Sequence, residues 1–348
     1  MNRRARLQTS ADERGPSNER GSLDEYEPSD GNVSAELSII VVNWNGGELL
    51  RRCVESVVAS PPSLGYEVVV VDNASSDDSL ARLHASDAAA ALGERLRVVE
   101  NADNRGFGQA NNQAFALTHA PLLFLLNPDT EVTPGSIDRL IETLRAGART
   151  GAVGPKLLNA DGSTQVSVWR NSPAAWETLL TGFRMHKLLP PRVRGELLLA
   201  EHWDYSRRRA VGMLSGAAML VRREVLDEVG GFDEHFHMYG EDNEWCLRIT
   251  RAGWLLVFEP AAVVMHHGAA SSSKRWDSLE KLRVQVEAFL LFQRRCLPRR
   301  RRVANLASSC LLLTLQRTAR RLRGRESRDV EQTLSLFAAD LRRALRDG

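Results

Sequence analysis

The sequence predicts a doubly wound, mostly parallel α/β sheet followed by an Arg-rich helical tail, and three observations predict it. Short apolar, β-branched runs alternate with helix-length amphipathic stretches through the first half of the 348 residues. The apolar runs end in polar loops, which collect on the strand carboxyl edge where such sheets bind ligands. Charge is also partitioned: the net +2 conceals −2 over residues 1–35, −6 over 36–292 and +10 over 293–348.

Taken in order, residues 1–35 carry Leu7, Leu23, Tyr26 and Val33 as their substantial apolar side chains. That is too little surface to offset ordering entropy, so a disordered lead is expected. Order begins at ELSIIVVNW, a buried strand, and the helix GELLRRCVESVVAS stops at Pro61-Pro62. YEVVVVDNAS is the second strand, SSDDSLARLHASDAAAAL one capped helix, and RLRVVEN the third strand. GQANNQAFALTHA is again helical and PLLFLLNPD the fourth strand. GAVGPKLL reads as a strand that DGSTQVSVWR continues in extended form. The poorly periodic segment 170–210 predicts loops and short helices over a cleft. Strand-helix, helix and strand follow in GAAMLVRREVLDEVGGF, EDNEWCLRITRAG and WLLVFEPAAVVMHH, with Trp245, Cys246 and Ile249 facing inward.

Composition narrows the class. Hydrophobic content of 43% with 26% charged residues is ordinary for a globular chain. No apolar run approaches the roughly 20 residues that span a bilayer, and no secretory leader is visible. Cys53, Cys246, Cys296 and Cys310 lack metal-ligand spacing. A reduced, cytoplasmic chain is expected.

Four motifs carry chemistry. In LLNPDTEV, Asp129 lies just beyond an apolar strand, where a carboxylate reaches a hard cation shared with a diphosphate; taken alone, it reads first as a residue that ends the strand and starts a turn. In ENADNRGFGQANNQA, Gly106 and Gly108 allow close backbone approach and the next helix offers free amides to an anion. Asn111 stands where a dinucleotide fingerprint needs Gly or Ala. In MYGEDNEWCLR, Asp242 is either a helix N-cap or a carboxylate that removes a proton from an attacking hydroxyl. In VVMHHGAASS, His266 and His267 leave an apolar strand, and a neutral imidazole there could complete the coordination begun by Asp129.

Taken together, SIIVVNWNG, VVVVDNASSD, NRGFGQANN, LLNPD, GPKLLNADG, GAAMLVRREVLDEVGGFDEHFHMYGEDNEWCLR and HHGAASS resemble the inverting glycosyltransferases of GT-A fold, family-two type. The likeness is greatest to the bacterial rhamnosyltransferase-like branch, and it spans residues 36–275. It implies a GT-A catalytic domain there, between the lead and a helical tail over 276–348. It also implies that Asn43, Asn45 and Asp72 hold the nucleoside, with Asp72 at the base, and that Asn104, Gly106, Phe107, Asn111 and Asn127 line the donor nucleotide. By the same resemblance Asp129 and His266 bind Mn2+ or Mg2+, with His267 an alternative to His266. Asp242 is the implied base and Glu241 its acceptor-orienting neighbour. Asn127 replaces the first Asp of the commoner metal motif, and His237 stands where related chains often have an aromatic.

The implied reaction moves a sugar, L-rhamnose from dTDP-rhamnose, onto a glycan or lipid-linked hydroxyl in cell-wall or surface polysaccharide synthesis; a UDP-sugar is the alternative donor. Two other classes compete: a sugar-nucleotide nucleotidyltransferase, for which VNWNGGELLRR offers no convincing triphosphate loop, and a non-catalytic nucleotide-binding scaffold. The tail pairs the apolar positions Leu282, Val286, Phe289, Leu290 and Phe292 with the basic cluster Arg299 to Arg302. It reads as a core-packing helix with a solvated face, or as a patch docking at the inner membrane surface. Residues 303–346 suggest further helices suited to oligomerisation. No nucleic-acid module is recognisable, and no nucleic-acid partner is expected.

Overall fold

A computed structural model describes residues 35–170, 174–268 and 278–346; the expected disordered lead lies outside the described residues. Strand β1 (Leu37–Asn43) is apolar at nearly every position because both its faces are covered. Leu37, Ile39 and Val41 enter one hydrophobic layer and Ile40 and Val42 the other. Helix α1 (Glu48–Ala59) buries Leu50, Cys53, Val54 and Val57, which recur at helical spacing, and ends at Ser60 before the two prolines. Strand β2 (Tyr66–Asp72) pairs in parallel with β1, in a register that sets Asp72 beside Asn43.

The next segment departs from the sequence expectation of one helix. It forms two, α2 (Ser79–His84) and α3 (Asp87–Leu92). Ser86 divides them: its hydroxyl donates to the Leu83 carbonyl at 2.7 Å and accepts the Ala89 amide at 3.2 Å, so the side chain caps α3 in place of continuing α2. Strand β3 (Leu96–Glu100), helix α4 (Phe107–Leu117) and strand β4 (Leu122–Leu126) complete the first half. The short β5 (Thr130–Val132), helix α5 (Ser136–Ala146) and strand β6 (Thr150–Leu158) follow.

Beyond β6 the chain turns instead of continuing extended. The Asn159 amide donates to the Ser163 carbonyl at 2.8 Å, and Gly162 takes φ +81°, a conformation that favours glycine. The turn brings Gln165 back alongside Leu157. Strand β7 (Val168–Trp169) and helices α6 (Ala175–Gly182) and α7 (Pro191–Leu198) occupy the irregular segment. Strands β8 (Arg209–Val211), β9 (Met213–Leu214) and β10 (Ala218–Arg222) lead to α8 (Arg223–Val229), α9 (Glu241–Arg251) and the long β11 (Leu255–His266).

Among the described residues the main sheet has nine strands in the order β3-β2-β1-β4-β10-β6-β11-β5, with β8 on β11. It is mostly parallel at β3-β2-β1-β4 and at β6-β11. β10 lies antiparallel between β4 and β6, because no crossover helix immediately precedes it and the chain enters from the opposite edge. That insertion carries the residues just before β10 to the carboxyl end of β4, where the site forms.

The tail comprises α10 (Ser278–Cys296), α11 (Arg299–Leu322) and α12 (Arg328–Arg346). Phe292 and Cys296 of α10, with Leu297, pack against Phe236 and Leu247. Val286, Leu290, Leu306, Phe337 and Ala344 join the three helices in their own cluster. Two members of the basic cluster act internally. Arg299 donates to the Ala344 and Leu345 carbonyls at 2.9 Å, capping the end of α12, and Arg302 is buried facing Asp340 at 3.5 Å. None of the described helices is long and apolar enough to cross a membrane.

Candidate active site

The strand-end loops form connected networks. At the end of β1, Asn43 is fully buried and its amide donates to Asp72 Oδ1 at 2.6 Å and to the Ser75 and Ser79 hydroxyls. Asp72 accepts in addition the Ser75 hydroxyl on Oδ1 at 2.6 Å and the Ser75 amide on Oδ2 at 2.8 Å. Asn45, at φ +51°, accepts the Ser76 and Asp77 amides on Oδ1. The structure thus joins Asn43, Asn45 and Asp72, with most of their polar atoms shaping the loop over residues 72–77.

The glycine loop is built the same way. Asn104 Oδ1 accepts the Gly106 amide at 3.0 Å, and Asn111, almost wholly buried, donates back to the Phe107 carbonyl at 2.9 Å. Gly106 takes φ +86°, and a Cβ there would meet the His237 carbonyl oxygen at 2.6 Å. His237 therefore lies directly on the glycine loop, in the segment that leads into α9.

At the end of β4, Asp129 Oδ1 stands 3.3 Å from His266 Nε2, and the Asn127 side-chain amide lies 3.4 Å from the same nitrogen. His266 Nδ1 is 2.6 Å from Gln165 Oε1. A carbonyl oxygen can only accept, so Nδ1 carries the proton and Nε2 presents its lone pair. His267 turns away: its Nε2 is 2.6 Å from Glu131, which also pairs with Arg52. Of the two histidines, His266 shares the Asp129 site.

The residues suit a hard divalent cation that keeps phosphate and water ligands. One carboxylate and one oriented imidazole converge, and among the described residues no group of three or more His, Cys, Asp or Glu does. The single Nε2 lone pair serves either the Asn127 amide or a cation, so a bound cation would displace Asn127 from the imidazole.

The carboxylate pair opens α9. Gly240 is the N-cap, so Asp242 is the second helical residue and the N-cap reading falls away. Asp242 Oδ2 accepts the Gly216 amide at 3.2 Å and Oδ1 its neighbour's amide, from Asn243, at 2.9 Å. Burial raises its pKa, and these amides oppose the rise. Glu241 is buried and is pushed up to about 8, first by burial and then by the Asp242 charge. With its value that high, Glu241 keeps its proton in the neutral range.

Gly216 and Gln165 escaped the sequence reading. A Cβ on Gly216 would touch the Phe107 ring at 3.4 Å and Asp242 Cβ at 3.5 Å, so Phe107 and Asp242 flank this residue. The next residue, Ala217, accepts the Asn127 amide at 2.9 Å. Two consecutive backbone groups thereby tie the base candidate to the acidic loop. Small residues in LSGAA before a strand were the available signal for Gly216; nothing in the local sequence marks Gln165. A cavity of about 520 Å³ opens over Glu241 and Asp242, walled by Trp169, Arg170, Tyr239 and Phe289.

A mostly parallel sheet with an Asn-Pro-Asp loop at one strand end and paired carboxylates at a helix mouth is the architecture of a GT-A sugar transferase. The chain belongs to the family described as Glycosyltransferase like family 2, whose sequence model matches residues 35–285. It is 32% identical over 256 residues to the N-acetylglucosaminyl-diphospho-decaprenol L-rhamnosyltransferase of Mycobacterium tuberculosis, covering 68% of this chain and 78% of that one. A low-salt glycan biosynthesis hexosyltransferase of Haloferax volcanii is 26% identical over 220 residues, 62% of each chain. Among solved structures, a mannosyltransferase from Pyrobaculum calidifontis in complex with GDP-Man and Mn2+ has a TM-score of 0.53 at 17% identity. The match covers 90% of this chain and 88% of that one, and the likeness is one of fold.

Proposed function

We propose that this chain is a metal-dependent inverting glycosyltransferase that moves L-rhamnose from dTDP-rhamnose to a hydroxyl of a lipid-linked glycan. Residues 36–275 form its catalytic domain, and its place is the inner face of the membrane. The observation that carries the reading is Asp242, fixed by the Gly216 amide on the floor of a cavity and tied through Ala217 to the Asn127–Asp129 loop. The sugar and the lipid are suggested by the rhamnosyltransferase relative.

In this reading Asn104, Gly106, Phe107 and Asn111 shape the donor nucleotide wall and Asp72 reaches the base. Asp129 and His266 would hold Mn2+ or Mg2+, which when bound neutralises charge on the departing diphosphate. Asp242 accepts the proton of the acceptor hydroxyl as that oxygen attacks the anomeric carbon. Glu241, protonated, offers a hydrogen-bond donor that orients the acceptor. One displacement inverts the anomeric centre, and no second carboxylate nucleophile is required.

A thermal-shift panel of nucleotide sugars with and without Mn2+, followed by transfer assays, tests the reading. Stabilisation by dTDP-rhamnose above UDP-sugars, together with transfer, is expected. Equal shifts remove the rhamnose assignment, and nucleoside diphosphate binding without transfer to any acceptor leaves the scaffold reading.

A further inference from the structure

Next to the catalytic cavity lies a second one of about 540 Å³, and Arg170 lines both. Its wall also carries Arg209, Arg301, Trp176 and Asn305. The surrounding charge is unbalanced. Glu177 pairs with Arg170 and Glu196 with Arg209, so the three guanidinium groups of the lining meet two carboxylates, of which Glu196 also takes Arg207 outside it. Planar guanidinium groups at a cleft suit phosphate oxygens, which they bind by paired N–H donors.

Farther along the helix that walls the cavity, apolar side chains are exposed. Arg301 and Ala304 line the cavity from α11, and along the same helical face follow Leu311, Leu315 and Leu322, exposed by 49%, 45% and 84%. Helix α6 packs against α11 so closely that a Cβ on Gly182 would meet Leu312 at 2.2 Å. Two large side chains of that neighbouring segment, Trp176 and Phe183, are likewise exposed, by 41% and 47%. Exposed apolar side chains in one stripe mark an interaction surface more than scattered ones do.

We infer that the Arg170–Arg209–Arg301 cavity seats the diphosphate of a lipid-linked acceptor. The lipid lies along the α11 stripe, and the sugar reaches Asp242 past Arg170. This rests on the transferase reading for its acceptor, while the subsite itself stands on charge, cavity and stripe. It also gives the tail a defined use: α11 supplies both a phosphate ligand and the lipid rail.

Titration calorimetry with farnesyl diphosphate, farnesyl monophosphate and inorganic pyrophosphate tests the inference without turnover. Farnesyl diphosphate should bind at least about tenfold tighter than the monophosphate. Arg301→Glu should weaken both diphosphate probes about tenfold or more, and Leu311→Asp, about 15 Å along the helix and within reach of the farnesyl chain, should weaken farnesyl diphosphate but not pyrophosphate. The thermal shift given by dTDP with Mn2+ should keep its wild-type size in both variants, because the donor loops lie elsewhere. Unchanged farnesyl diphosphate affinity in Arg301→Glu overturns the inference, as does stoichiometric displacement of that probe by dTDP, which would place it in the donor site. A chain that transferred no sugar yet bound the probes as expected would lose the enzymatic reading and keep the subsite.

Discussion

Gly216 donates its backbone amide to Asp242 Oδ2 across 3.2 Å, joining the segment before β10 to the mouth of α9. An amide on one carboxylate oxygen stabilises the charged form and fixes the rotamer. Because the Ala217 carbonyl accepts the backbone amide of Asn127, one short run of backbone touches both carboxylate-bearing loops. The antiparallel entry of β10 makes this double contact possible.

The first prediction concerns that carboxylate. Asp242→Asn keeps size and shape but removes the proton acceptor, so the transfer rate should fall about 10²–10⁴-fold. The melting temperature should fall modestly, since a carboxamide oxygen can still accept from Gly216 while its NH2 faces the Asn243 amide in place of Oδ1. A D242N enzyme of wild-type rate with intact metal dependence would remove the base assignment.

A second prediction concerns Gln165, which lies 101 residues from His266 in sequence and touches its Nδ1. Gln165→Leu removes the acceptor that sets the tautomer. The Mn2+ concentration for half-maximal activity should rise about 10–100-fold, with kcat at saturating metal much less affected. An equal fall in kcat at all metal concentrations would show that Gln165 acts elsewhere.

How much of this was legible in the sequence depends on the range of the interaction. β1, β2 and β4 stand out because burial on both faces forces continuous apolar runs, and the polar residues ending them mark the sheet edge. Asp129 and Asp242 are visible as carboxylates beside such elements. Their surroundings are not, since Gly216 reaches Asp242, and Gln165 reaches the His266 beside Asp129, through tertiary contacts without local pattern. The split at Ser86 was hidden for a different reason: the same serine can sit in a helix or cap the next one, and tertiary packing decides. In the tail, the count of arginines was plain, but only the fold separates Arg299 and Arg302, spent on α12, from Arg301 at the cavity.

The glycine loop gives a third prediction. Gly106→Ala meets two obstacles, a backbone at φ +86° and a new methyl 2.6 Å from the His237 carbonyl oxygen. Strained backbone of this kind costs about 1–3 kcal/mol, and relief of the clash must displace the segment leading to Glu241. A drop of several degrees in melting temperature is expected, with a larger loss of donor affinity than Asn104→Ala produces. Wild-type stability in the G106A protein would contradict the close approach.

The last prediction is a pH dependence from Glu241. Its folded pKa, raised to about 8 by burial and by the Asp242 charge, lies above the ordinary value of 4.5. Between those values the folded chain holds a proton that the unfolded chain has released. Stability therefore falls as pH rises through this window, and the penalty is complete above about pH 8. Glu241→Gln mimics the protonated group, so the variant should lose this slope and gain melting temperature over the wild type at about pH 8.5, with little difference near pH 5. Melting curves of both proteins at half-unit steps from about pH 5 to 9, buffered at constant ionic strength, measure the difference directly. Parallel curves would mean that Glu241 is ionised throughout. The acceptor-orienting role assigned to its proton would then go, while Asp242 and its Gly216 contact would remain.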